Sequence, residues 1–214
     1  MTEFKDINSK TILYSFRRCP YAMRARLALV SAQISFIIRE VSLKDKPIEL
    51  KLISKKATVP CLQTATTVIP ESLEIMRWAL LKNDPENLLD CPAAGVDLIN
   101  YNDGRFKTCI DRTKYRSHYK DVQLEVEQKI AKEFLTELNS RLTTQFILSD
   151  RKTIVDIALF PFVRQYAQID KNWFNSQNWH NLNNWLNSFI NSESFYIIQR
   201  KYPIWKQGDD ATIF

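Results

Sequence analysis

The stretch Arg17-Arg18-Cys19-Pro20-Tyr21-Ala22-Met23-Arg24 sets one cysteine among three arginines, directly after the strand-like run Thr11-Ile12-Leu13-Tyr14-Ser15-Phe16. Proline fits the first turn of a helix, where its missing N–H costs nothing, so Cys19 is expected at a helix mouth. Unpaired N–H groups and the partial positive charge at such a mouth favour the thiolate, the form of cysteine that acts as a nucleophile. Arg17, Arg18 and Arg24 add to this if their side chains turn toward the sulfur; the plain alternative for Arg17 and Arg18 is surface charge. A C-x-x-C motif would carry its second cysteine where this chain has Ala22. A disulfide made by Cys19 must then be resolved by an outside thiol, which points to glutathione-dependent chemistry. The bland alternative is that Cys19 is a packing thiol.

The elements that would position this cysteine follow from hydrophobic spacing. Residues 12–16 form a short apolar run suited to a buried strand, and Met23, Leu27, Val30 and Ile34 recur at helical spacing. Residues 36–41 read as a second strand, 46–54 as a weaker helix, 59–63 and 67–69 as two further strands, and 72–82 as a helix with Leu73, Met76 and Leu80 on one face. Asn83-Asp84-Pro85-Glu86-Asn87 breaks the pattern as a linker. The remainder reads as helical. Residues 125–142 carry apolar positions 126, 130, 134, 135, 138 and 142, an amphipathic face. Residues 178–190 and 194–202 read as two more helices, and 203–210 as irregular. Thr153-Ile154-Val155-Asp156 is a capping box with Asp in the place of Glu, ahead of a nearly all-apolar helix that should be buried.

Composition narrows the class. The 214 residues are 45% hydrophobic and 25% charged, enough for one large domain or two small ones. No apolar run approaches the ~20 residues of a membrane span. Residues 1–6 are polar and mixed in charge, without the pattern of a secretory leader, so a cytoplasmic protein is expected. Net charge is +6, spread over both halves, too thin for a nucleic-acid stripe. The cysteines at 19, 61, 91 and 109 lack zinc-type spacing, and His118 and His180 stand far apart, so no metal site is expected and the thiols should be free.

Taken in order, Cys19-Pro20-Tyr21-Ala22-Met23-Arg24, Lys44-Asp45-Lys46-Pro47, Thr58-Val59-Pro60, Glu71-Ser72 and the 146–167 stretch with its capping box resemble the glutathione transferase superfamily, in particular its omega-like bacterial branch with an active-site cysteine. The resemblance implies an α/β thioredoxin-like N-terminal domain with a four-stranded mixed sheet (1–82), a linker (83–91) and an all-helical C-terminal domain (92–214). It implies Cys19 as the nucleophile that forms a mixed disulfide with glutathione, the cosubstrate. Pro60 would be cis, with Val59 pairing its backbone to the tripeptide. Glu71 and Ser72 would hold the γ-glutamyl end, Lys46 the glycyl end, and Tyr21 would wall the pocket. Tyr115, Tyr119, Arg164 and Trp205 are candidates for a second-substrate pocket, with single aromatics at helical spacing being core as the alternative. The resemblance also implies a homodimer.

Some positions depart from the pattern. Pro70 removes a donor just before Glu71-Ser72, and Thr64-Ala65-Thr66-Thr67 replaces the usual Asp-Gly turn. Cys61 is either a small buried hydrophobe or a second redox thiol. Glu71 could be only a helix-start carboxylate. The leading expectation is a thiol transferase or glutathione-dependent reductase acting on small disulfides, dehydroascorbate or glutathionyl adducts. The alternatives are a transferase conjugating glutathione to electrophiles and a non-catalytic interaction module of the same fold.

Overall fold

The computed structural model describes residues 11–214; the reading of residues 1–6 lies outside the described residues. The chain divides into two compact units, residues 1–89 with 193–214, and residues 90–192.

The first unit opens with β1 (Ile12–Ser15), α1 (Pro20–Ser31), β2 (Ile37–Glu40), α2 (Ile48–Ile53), β3 (Cys61–Gln63), β4 (Val68–Ile69) and α3 (Ser72–Lys82). The sheet order is β2-β1-β3-β4. β1 runs parallel to β2 with Leu13 opposite Ile38 and Ser15 opposite Glu40. β3 is antiparallel to β1, and β4 to β3. This is the four-stranded mixed sheet expected. One face carries Tyr14, Val41, Leu50, Ala57 and Cys61 as a buried cluster. α1 packs along α3, and Leu27, Leu29, Ile75 and Met76 are buried.

Local chemistry sets the joints. Thr64 closes the β3–β4 turn with its hydroxyl oxygen, which accepts from the N–H of Thr66 (3.3 Å) and of Thr67 (3.0 Å), doing by side chain what glycine does by backbone freedom. α1 ends with the N–H of Gln33 on the Val30 carbonyl and the N–H of Ile34 on the Leu29 carbonyl, the two bonds of a Schellman stop. Gln33 takes the left-handed position there with φ 54°.

The second unit holds α4 (Ala94–Tyr101), α5 (Lys107–Lys114), α6 (Leu124–Arg141), α7 (Ile154–Ala167), α8 (Lys171–Asn175) and α9 (His180–Ile190). A single π-type turn, Asn102–Phe106, joins α4 to α5. α7 is the buried centre and packs on α4, α5 and α9. Gly95 lets α4 approach, because a Cβ there would lie 2.5 Å from Val155 Cγ2. The capping box forms at Thr153 and Asp156 as expected. The apolar stripe of α6 runs through Ala131, Phe134, Leu135 and Leu138. Val126, assigned to that stripe, is exposed, and Glu127 is buried in its stead. The 3.6-residue period places 127, 131, 134 and 138 on one line, and Arg112 Nε donates to Glu127 Oε1 at 2.6 Å, which pairs the buried carboxylate.

The last segment returns to the first unit. α10 (Glu193–Ile198) packs on α1, shorter than the 194–202 helix expected. Residues 203–214, of which 203–210 are expected to be irregular, form no regular element, yet they cover the open edge of β2. The N–H groups of Trp205 and Phe214 donate to the carbonyls of Glu40 and Phe36, and Ile38 N–H donates to the Thr212 carbonyl. Phe214 stacks on Phe36 with centroids 4.7 Å apart. An edge strand left bare is a template for unwanted pairing, and the tail occupies it. The 83–91 segment is also ordered by contacts. Asp84 accepts from the N–H groups of Leu88 and Leu89 at 2.8 and 2.9 Å.

Candidate functional site

Cys19 is the N-cap of α1, with extended backbone and no side-chain cap of its own. Its N–H donates to the Phe16 carbonyl and its carbonyl accepts from Met23 N–H, both at 2.9 Å. The side chain is half-buried. Its Sγ lies 3.6 Å from the Val59 carbonyl oxygen, and the Val59–Pro60 bond is cis. No acceptor among the described residues meets the Val59 N–H. The free edge of residue 59 and the thiol therefore stand side by side at the helix mouth.

α3 supplies a second helix start in the same unit. Glu71 is its N-cap and Ser72 its first residue. Glu71 is open to solvent and has Lys56 Nζ at 4.0 Å, so the carboxylate already meets an ammonium in this position. Ser72 is buried, and its Oγ accepts from Arg24 Nε at 3.0 Å. That bond uses an acceptor site and leaves the serine O–H, with the first N–H groups of α3, able to donate to a carboxylate. Pro70 precedes this start and does not prevent α3 from beginning at Ser72. Lys46 sits in the loop before α2, half-buried, with no carboxylate partner among the described residues. Tyr21 lies in the first turn of α1 beneath the Arg24 guanidinium, 5.1 Å from it.

Arg18 is exposed and lies over the Phe16 ring. Arg24 is buried, and its Nε donates to Ser72 Oγ across the α1–α3 contact. Arg26 is fully buried, and Cys19 is among the groups that favour its charged form. Its Nη2 donates to the Arg17 carbonyl at 2.8 Å. On the other side of the same residue, Arg17 N–H donates to Glu40 Oε1 at 2.6 Å. Burial holds Arg26 down to about 10, so it remains cationic at neutral pH, and burial raises the Glu40 carboxyl above its ordinary value. Neither residue was singled out from sequence. The available signal was Arg26 itself, a charge inside the otherwise apolar Ala25–Leu29 stretch.

Burial raises the other three thiols. Cys61 is fully buried in the sheet face and pushed up to about 11, and Cys109 to about 12. Cys91 is raised as well, chiefly by burial. None of the four is in a disulfide.

The residues proposed for a second-substrate pocket fall in different places. Tyr115 and Tyr119, at the end of α5, are exposed; Tyr115 stacks with His118, and Arg112 lies over the Tyr119 ring. Arg164 is half-buried near the end of α7. Trp205 belongs to the tail of the first unit, with the Arg39 guanidinium 3.9 Å above its ring. Within the helical unit, a cavity of about 270 Å³ is lined by Thr113, Arg116, Gln128, Tyr166, Asp170 and Trp173.

No helix among the described residues is long and apolar enough to cross a membrane. The family model "Glutathione S-transferase, N-terminal domain" matches residues 18–80, and "Glutathione S-transferase, C-terminal domain" matches residues 104–193. Curated protein sequences give no match. Among solved structures, glutathione transferase Omega 3C from Trametes versicolor is similar at 20% identity and TM-score 0.75, over 90% of this chain and 85% of that one. A glutathione transferase family member from Pseudomonas fluorescens, solved with two glutathione bound, is similar at 18% identity and TM-score 0.78, over 91% and 94%. A possible glutathione S-transferase from Rhodopseudomonas palustris matches at 18% identity and TM-score 0.75, over 91% and 100%. The mixed four-stranded sheet, the helical unit built around a capped α7 and the two family matches agree, and the chain belongs to the glutathione transferase superfamily.

Proposed function

We propose that this chain is a glutathione-dependent thiol transferase of the omega-like kind, with Cys19 as its nucleophile. The observation that carries the reading is the Cys19 thiol at the mouth of α1, against the backbone of Val59. A tyrosine or serine hydroxyl in this place would activate the glutathione thiol by hydrogen bonding and leave the attack to glutathione; a cysteine at a helix N-terminus can itself attack. Glutathione fits the surrounding groups. Its cysteinyl backbone would pair with Val59 beside Pro60, and its γ-glutamyl carboxylate would meet Ser72 and the start of α3. Its ammonium would meet Glu71 in place of Lys56, its glycyl carboxylate would meet Lys46, and Tyr21 would flank the tripeptide. The Pseudomonas fluorescens relative was solved with two glutathione bound, which supports the same ligand class here.

The reaction balances in two exchanges. The Cys19 thiolate attacks the glutathione sulfur of a mixed disulfide, forms the Cys19–glutathione disulfide and releases the substrate as thiolate, which takes a proton from solvent. A second glutathione thiolate then attacks the glutathione sulfur of that disulfide, which yields oxidised glutathione and regenerates the Cys19 thiolate. A reducing compartment such as the cytoplasm suits these free thiols. A homodimer belongs to the same reading, and sedimentation at monomer mass would remove it.

Cys19→Ser is the test. Thiol transfer should vanish while retention on immobilised glutathione persists. Unchanged thiol transfer sinks the reading; loss of transfer with retained or increased conjugation of an electrophile would move the protein to the conjugating class.

A further inference from the structure

Two charged side chains lie buried beneath the nucleophile loop, and the exchange chemistry above does not use them. Arg26 is 0% exposed and Glu40 is 7% exposed. Isolated buried charges are costly, so both call for a structural or functional reason. They do not neutralise each other by contact. Arg26 Nη1 and Glu40 Oε2 are each without a hydrogen-bond partner among the described residues. Between them lies Arg17: its N–H is held by Glu40 Oε1 at 2.6 Å and its carbonyl by Arg26 Nη2 at 2.8 Å. Arg26 Nε also holds the Ala22 carbonyl at 3.3 Å, which ties the clamp to the first turn of α1. Cys19 is two residues beyond the clamped Arg17.

We propose that Arg26 and Glu40 are the positioning pair of Cys19: their side chains fix the Arg17 backbone from both sides, and the Arg26 cation favours the thiolate of Cys19. The proposal rests on Cys19 being the reactive thiol. The groups facing Arg26 come from three elements: Glu40 on β2, Cys19 and Arg17 in the loop, and Tyr202 on the returning tail. Cys19 and Glu40 each favour the charged form of Arg26, and the attraction between Arg26 and the Cys19 thiolate is mutual. Trp205 N–H donates to the Glu40 carbonyl at 2.8 Å, so the tail covers this cluster. Arg39, the neighbour of Glu40 on β2, is engaged with Tyr14 and Trp205. An opposite charge nearby moves an acid's pKa down by roughly 1–3 units, and partial exposure of Cys19 places its share near the lower end.

The pH dependence of Cys19 alkylation by iodoacetamide tests this in the full chain, and three variants give opposed signs. Arg26→Gln removes the cation, and the alkylation midpoint should rise by about one unit, roughly a tenfold loss of thiolate at a fixed lower pH. Arg26→Lys keeps the charge and should return the midpoint most of the way to the parent value. Glu40→Gln keeps an acceptor for Arg17 N–H but removes the opposing negative charge, so the midpoint should fall. A merely structural role would loosen the loop in both Arg26→Gln and Glu40→Gln and move both midpoints the same way. Shifts in one direction, or unchanged midpoints, overturn the proposal. If Arg26→Gln fails to fold, the sign of the Glu40→Gln shift decides alone. Alkylation needs no glutathione, so the signs are read whether or not the protein transfers thiols; a thiol-transfer assay of the parent protein judges the functional reading separately.

Discussion

Asp156→Ala probes the joint that holds the helical unit together. The Asp156 carboxylate is fully buried. Oδ1 accepts from Ile147 N–H at 3.1 Å and from Trp185 Nε1–H at 3.0 Å, and Oδ2 accepts from the N–H and hydroxyl of Thr153 at 2.9 and 3.0 Å. Alanine removes both acceptor oxygens and with them all four hydrogen bonds. The Thr153 hydroxyl can turn elsewhere, but the two backbone N–H groups and the indole N–H stay buried. Each stranded donor costs about 1–3 kcal/mol. Against this, burial raises the Asp156 carboxyl above 3.8, so the charged form carries a desolvation cost that alanine abolishes. The net expectation is a loss of about 3–5 kcal/mol, a large share of the ~5–15 kcal/mol of an ordinary domain. Asp156→Asn keeps an acceptor for Ile147 and Trp185 and should lose less. The pH dependence has a definite sign. A raised folded value means the native state keeps the proton longer, so this contribution is present below 3.8 and lost as the pH rises through the folded value. The alanine variant lacks that slope. Urea unfolding of parent and variants at several pH values measures both effects. A loss under about 1 kcal/mol at unchanged m-value would refute the accounting.

Four further outcomes are expected. In native protein at mildly alkaline pH, iodoacetamide should label Cys19 first and Cys91 more slowly, while Cys61 and Cys109 stay unmodified until denaturant is added; peptide mapping that finds Cys61 labelled in the native state contradicts its burial. Because Cys61 and Cys109 are raised to about 11 and 12, the unfolded chain loses those protons first, and stability should fall as pH climbs above 9. Ser72→Ala strands the buried Arg24 Nε, which should cost about 1–3 kcal/mol of stability. The same variant should weaken glutathione binding about tenfold, one lost hydrogen bond to a charged group, with unchanged affinity by calorimetry speaking against the γ-glutamyl site. Gln33→Gly relieves a side chain at φ 54° and should add about 0.5–1 kcal/mol; a lower melting temperature would mean that the Gln33 side chain makes up for the strain.

Much of the fold was legible because it is written in local spacing. Short apolar runs bounded by polar residues gave β1 and β2, and the α3 range matches the sequence reading residue for residue. The capping box announced α7 by two residue types three apart. α6 shows where such reading slips. Val126 looks like a core position by type, yet Glu127 is the buried one, because Arg112 waits on the neighbouring helix. Charge pairing across elements leaves no mark on a hydrophobic pattern. The covering of the β2 edge by the tail was equally invisible, since it depends on contacts between distant residues.

The sequence by itself placed a cysteine after a strand and before Pro20, at a helix mouth, a statement about residue type and near neighbours for which local backbone preferences suffice. Val59-Pro60 and Glu71-Ser72 entered as candidates through the family resemblance. Tertiary structure alone decided which charges serve which site. Arg24 and Arg26 are two residues apart on one helix, so their side chains project in directions about 200° apart. That rotation sends Arg24 to Ser72 and places Arg26 under the Arg17 backbone opposite Glu40. The partners lie 48 and 23 residues away in sequence from Arg24 and Arg17, and only the packing of α1 on α3 and the pairing of β1 with β2 bring them within hydrogen-bond reach.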